Sequence, residues 1–187
     1  MTIHTPTKES YGCCYMSTPS MLLSDRQINN VNHYNLPEEL DILKLLDLKP
    51  DEKFYDLGSG NGIVLRRAVE KYDVQGIGIE GDPKLVEESR RNIRDCGLED
   101  RIRIIHGNYY KVPLVDADAV YMFLNNIEVN NLREKLRREL KPGTRVLSLL
   151  NPIPGWLPTE DVMLYFEMDV FNSDNVRPYR SVYLYAR

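Results

Sequence analysis

Residues 54–62 read Phe-Tyr-Asp-Leu-Gly-Ser-Gly-Asn-Gly. An apolar run ends at Asp56, and Gly58, Gly60 and Gly62 then follow at alternate positions. A turn needs one such residue, or two. Three in five positions imply that something must approach the main chain where a Cβ would intrude. The next residues, "IVLRRAVEKY", carry a helical pattern, so the loop joins a strand to a helix.

The same alternation continues outward. "KFYDL", "VQGIGIE", "RIRIIHG", "ADAVYMFL" and "TRVLSLL" read as five strands. Between them lie "GIVLRRAVEKY", "PKLVEESRRNIRDCG" and "VNNLREKLRREL", three helices; in the second, Asp82 suits the N-cap, Pro83 the first turn and Gly97 the stop. Upstream, Leu40, Leu43, Leu45, Leu46 and Leu48 predict an amphipathic helix between Pro37 and Pro50. Downstream, "VMLYFEM" and "SVYLYAR" predict an antiparallel hairpin at one edge. Strand–helix alternation implies right-handed crossovers. The fold class is therefore α/β and Rossmann-like: a mostly parallel twisted sheet, helices on both faces, and a C-terminal antiparallel edge hairpin. Residues 1–33 show weak periodicity and read as a lead-in or lid to one domain over 34–187.

In such a sheet the first strand–helix turn is where a ligand binds. The dinucleotide fingerprint G-x-G-x-x-G would need a glycine at position 63, which is Ile63. The chain has G-x-G-x-G instead, preceded by Asp56, and this resembles the first motif of S-adenosylmethionine-dependent methyltransferases. Glu80 ends the second strand, 18 residues after Gly62. A carboxylate there accepts hydrogen bonds from ribose hydroxyls and repels a 2′-phosphate, which disfavours NADP. After the third strand, Asn108 offers an amide to an adenine edge and Tyr109 an aromatic face.

The chain has 187 residues, 28% of them charged, and a net charge of −4. That length suits one domain, and the acidic balance makes nucleic acid a less favoured partner. Cys13, Cys14 and Cys96 form neither a disulfide framework nor a zinc motif, and the three histidines are scattered, so no metal site is expected. No apolar run reaches membrane-spanning length and no secretion signal is evident, so no membrane insertion and a cytoplasmic location are expected.

The segment "LREKLRRELKPGTRVLSLLNPIPGW", with "VYMFLNN" before it and "SVYLY" near the end, resembles the archaeal protein lysine methyltransferase family. Relatives of that family include mitochondrial enzymes that methylate a lysine of the ATP synthase c subunit. The similarity runs from about Tyr34 to Tyr185. The chain departs from the pattern at Asn61, where an acidic residue is usual, and in its N-terminal Tyr-x-Pro-Thr-Pro, for which both "YNLP" and "YMSTP" are partial matches.

The resemblance implies S-adenosylmethionine as cofactor and a protein lysine side chain as acceptor. The expected cofactor contacts are Asp56, Gly58, Ser59, Gly60, Gly62, Glu80, Gly81, Asn108, Tyr109 and Phe123. The expected acceptor channel is Phe123, Leu124, Asn125 and Asn126, faced by the loop from Asn151 to Trp156. Lysine attacks as a neutral amine, so an apolar channel that disfavours the ammonium would help. No residue stands out as a general base. The alternating charges of "REKLRREL" fit a solvated helix face better than an RNA contact. An RNA or small-molecule methyltransferase is the alternative of the same class. A non-catalytic nucleoside-binding module or an NAD-dependent oxidoreductase is the alternative of another.

Overall fold

The computed structural model describes residues 42–165 and 179–187. The expected lid over residues 1–33 and both partial N-terminal motifs lie outside them. Seven strands form one sheet: β1 (Lys53–Leu57), β2 (Gln75–Glu80), β3 (Ile102–His106), β4 (Ala119–Met122), β5 (Arg145–Leu149), β6 (Glu160–Tyr165) and β7 (Tyr179–Ala186). Their spatial order is β3-β2-β1-β4-β5-β7-β6. The first five run parallel, and β7 lies antiparallel between β5 and β6. The chain therefore moves outward from β1 to β3, returns to β4, and leaves a crevice where the order reverses.

Side-chain alternation divides the core into two layers. On one face Phe54, Ala119, Tyr121, Leu147 and Leu149 pack with Leu65, Ala68 and Val69 of α1 (Ile63–Tyr72) and with Val86 and Ile93 of α2 (Pro83–Asp95). On the other, Tyr55, Leu57, Val120, Met122 and Val146 meet Val129, Leu132 and Leu136 of α3 (Asn126–Glu139). Both faces are covered, as the sequence pattern predicts. Among the described residues no helix is long and apolar enough to cross a membrane.

Local signals set the helix ends. The Asp82 carboxylate accepts from Lys84 N at 2.8 Å with Pro83 opening α2, and Gly97 at φ +65° turns the chain beyond it. Two expectations need correction. Of the helix expected between Pro37 and Pro50, the described part is only a five-residue 3-10 turn, Ile42–Leu46. Ile42, Leu43 and Leu46 are already buried there, and Asp47 at φ 45° turns the chain away. The third helix begins at Asn126, three residues before the expected Val129. Asn125 and Glu128 close a capping box that adds the extra turn.

Candidate active site

At the carboxyl end of β1 the chain enters the glycine loop. Gly58, Gly60 and Gly62 have φ of 80°, 53° and 80°, in the left-handed region open to glycine without strain. The loop is fixed to β2, because Gly58 N and Ser59 N both donate to Ile79 O, at 2.9 and 3.1 Å. A Cβ on Gly58 would sit 3.2 Å from Leu124 Cδ2, and one on Gly62 only 2.4 Å from Ser89 Oγ. Gly62 is also the N-cap of α1 and supplies no side-chain cap, which leaves this helix start to its main chain.

Glu80 binds this loop. Its Oε2 accepts from Gly60 N at 2.9 Å, and its Oε1 accepts from Gly81 N and Asp82 N at 2.7 and 2.8 Å. Asp56 alternates with Tyr55 and Leu57 and so shares the α1 face with Phe54. Only 2% of Asp56 is exposed. Burial, and secondarily the negative charge of Glu80, pushes its carboxyl up to about 8. Two acidic groups thus stand at adjacent strand ends beneath the loop. Ser59 Oγ is buried beside them with no hydrogen-bond partner among the described residues.

After β3, Asn108 Oδ1 accepts from Tyr110 N at 2.8 Å, an Asx turn that takes one lone pair of this oxygen and leaves both amide N–H groups to offer a ligand. The rings of Tyr109 and Tyr110 lie 4.7 Å apart, tilted by 56°. Tyr109 Oη donates to Glu128 Oε1 at 2.8 Å. Burial, and then this carboxylate, raises the Tyr109 phenol well above its usual range.

After β4, Phe123 is half-buried and Leu124 buried beneath Gly58. Asn125 caps α3, its Oδ1 accepting from Glu128 N at 2.9 Å, and Asn126 opens the helix and is exposed. The facing loop is tied to this segment, since Asn151 Nδ2 donates to Leu124 O at 2.8 Å. Leu150 just before it is held at φ 72°, a strained angle for a leucine. Ser148 Oγ donating to Asn151 O at 2.6 Å and Leu150 N to Ser181 O at 2.8 Å hold this corner in place. Trp156 packs edge-on against Tyr185 at 5.8 Å, a contact with β7 of the C-terminal hairpin.

The structure therefore gathers Asp56, the glycine loop and Glu80 at the crevice, with Asn108 and Tyr109 on one side and Phe123, Leu124 and Asn125 on the other. Trp156 packs on Tyr185 of β7. Gly81 contributes a main-chain N–H rather than space, since a Cβ there would meet only Gly107 O at 3.8 Å. Two participants were not singled out in the sequence: Ser89, whose buried hydroxyl abuts Gly62, and Glu128. The Asn125-x-x-Glu128 spacing was the available signal for Glu128. Within α3, Arg133 pairs with Glu134, and Lys135 and Arg138 both pair with Glu139.

A family model described as the ANTKMT methyltransferase domain matches residues 56–160. The chain is 34% identical over 136 residues to a protein-lysine N-methyltransferase of Saccharolobus islandicus, covering 71% of this chain and 84% of that protein. It is 32% identical to the adenine nucleotide translocase lysine N-methyltransferase of Mus musculus, covering 76% of this chain and 57% of that one. Among solved structures, an RNA methyltransferase from Salinibacter ruber in complex with S-adenosyl-L-homocysteine aligns with a TM-score of 0.68 at 30% identity, over 78% of this chain and 86% of that one.

Proposed function

This chain belongs to the ANTKMT methyltransferase-domain family, and from that premise we propose that it is a protein-lysine N-methyltransferase using S-adenosylmethionine. When bound, this cofactor supplies a sulfonium methyl group that a neutral amine can attack in line. The residues at the crevice fit it. The bare main chain of Gly58–Gly62 admits the amino-acid tail, the Glu80 carboxylate favours a cationic ligand and Asp56 joins it on losing its proton, and the free amide of Asn108 suits an adenine edge. The loop has Ile63 where the dinucleotide fingerprint needs its third glycine, which disfavours the oxidoreductase reading.

The chain's own residues contribute alignment rather than covalent chemistry, and orientation alone supplies several kcal/mol of a barrier, about 7–11 in favourable cases. Leu124 and Phe123 keep water from the donor side. Asn125, through the α3 cap, and Asn151, through Leu124 O, hold the two acceptor walls at a fixed separation.

The acceptor half of the reading rests on the two lysine-methylating relatives and on one feature of the walls. Residues 119–127 and 146–158 contain no Asp, Glu, Lys or Arg. A nucleic-acid acceptor calls for cationic groups near its phosphates, whereas a lysine that must shed its proton is helped by uncharged surroundings. The Salinibacter ruber relative makes RNA the competing acceptor. The test is incubation of the purified protein with methyl-labelled S-adenosylmethionine and a whole-cell extract. Label should survive nuclease, disappear with protease and reside on lysine. Label removed by nuclease would overturn the lysine assignment.

A further inference from the structure

Glu128 stands where the two halves of the site meet. In the sheet, β3 and β4 are separated by β2 and β1, three interstrand steps or about 14 Å. The loop after β3 nevertheless reaches the start of α3. Tyr109 Oη donates to Glu128 Oε1 at 2.8 Å and Tyr110 Oη to Glu128 O at 3.4 Å. The other carboxylate oxygen, Oε2, accepts from Asn125 N at 3.0 Å. One side chain thus holds the adenine-side loop through Oε1 and the acceptor-side lip through Oε2. Capping a helix needs only one of these oxygens. The second is committed to a tyrosine beyond the crevice.

We infer that Glu128 is a positioning residue that couples the donor side of the site to the acceptor side. Ligand seated against Asn108 and Tyr109 steadies the Tyr109 hydroxyl, which steadies the carboxylate and, through it, Asn125 at the lip. Coupling of this kind is reciprocal, so an ordered lip also favours the donor. This inference rests on the methyltransferase reading.

The test uses the full chain, S-adenosylhomocysteine as probe, and the variants Tyr109→Phe, Glu128→Gln and the double. Glutamine keeps the capping box, and Tyr109→Phe leaves it untouched. Tyr109→Phe should weaken binding measured by calorimetry about tenfold, the loss of one hydrogen bond to a charged group. Glu128→Gln should weaken it less, since its amide N–H still donates to the Tyr109 hydroxyl. The double should be no weaker than Tyr109→Phe. In hydrogen exchange, the probe should slow the amides of 58–62 and 125–128 in the wild type. In Tyr109→Phe it should slow 58–62 alone.

Equal protection of 125–128 in Tyr109→Phe, or losses that add in the double, would overturn the coupling. If Glu128→Gln fails to fold, Tyr109→Phe decides alone. A wild-type chain that does not bind the probe would instead overturn the methyltransferase reading.

Discussion

Glu80 Oε2 lies 2.9 Å from Gly60 N. The carboxylate expected to hold the ribose is therefore already holding the loop. A carboxylate offers about four lone-pair sites, and Gly60, Gly81 and Asp82 occupy three of them. Room remains on Oε2 for one hydroxyl, and a second ribose contact requires Gly60 N to let go. Glu80→Ala should thus act twice, removing the ribose acceptor and freeing the loop. Affinity for S-adenosylhomocysteine should fall by about 1–3 kcal/mol, with faster amide exchange at Gly60. Unchanged affinity by calorimetry would remove Glu80 from the ribose role.

Asp56 makes stability depend on pH. Its carboxyl titrates near 8 when folded and near 4 in the unfolded chain. Between those values the folded protein keeps a proton that the unfolded chain releases. Its contribution is fully present below about pH 4 and is lost as pH rises through 8, at no more than about 1.4 kcal/mol per unit. Asp56→Asn should therefore be more stable than wild type at pH 8 and little different at pH 4. Urea unfolding at the two values measures this. A cationic donor analogue draws out the ionised form, so wild-type affinity for it should climb across the same window.

Gly62 and Ser89 are packed against each other. Gly62→Ala places a Cβ 2.4 Å from Ser89 Oγ on a residue held at φ 80°. The cost should be about 1–3 kcal/mol, read as a lower melting temperature. Ser89→Ala removes the hydroxyl and leaves a Cβ at an ordinary 3.5 Å. The double variant should recover the steric part of the loss and retain the part due to backbone angle.

Asn151→Ala should separate acceptor from donor. It breaks the 2.8 Å bond to Leu124 O and should cost about 1–2 kcal/mol of stability. Acceptor KM should rise severalfold, and affinity for S-adenosylhomocysteine should fall by no more than about twofold, roughly 0.4 kcal/mol, the part that reaches the donor through the coupled lip.

The first five strands were legible because each pairs a short apolar run with glycine or proline punctuation, and the doubly wound order follows from their alternation with helices. The loop at the crevice was legible for a related reason. Gly58, Gly60 and Gly62 stand at alternate positions just after a strand, and all three adopt the left-handed angles that favour glycine. Glu80 was legible as the carboxylate ending the next strand; that it holds the loop through Gly60 N was not. Contacts made across the fold were not legible. Nothing near Tyr109 in sequence indicates that its hydroxyl is taken by Glu128, and nothing near Trp156 indicates that Tyr185 takes its ring edge. Asn125 was expected as part of the acceptor channel, but its cap on α3 in front of Glu128, a local signal, went unread because the apolar periodicity begins only at Val129.

The placement of β7 has a consequence for the order of assembly. This strand is synthesised after β6 yet lies inside it, hydrogen-bonded to β5 on one side and β6 on the other. On the ribosome, β6 emerges with no neighbour to pair with and must wait for a later segment to arrive and fill the gap. The outermost strand in space is thus among the last to settle in time, and until then the flank of β5 stands open, a moment of exposure suited to a chaperone.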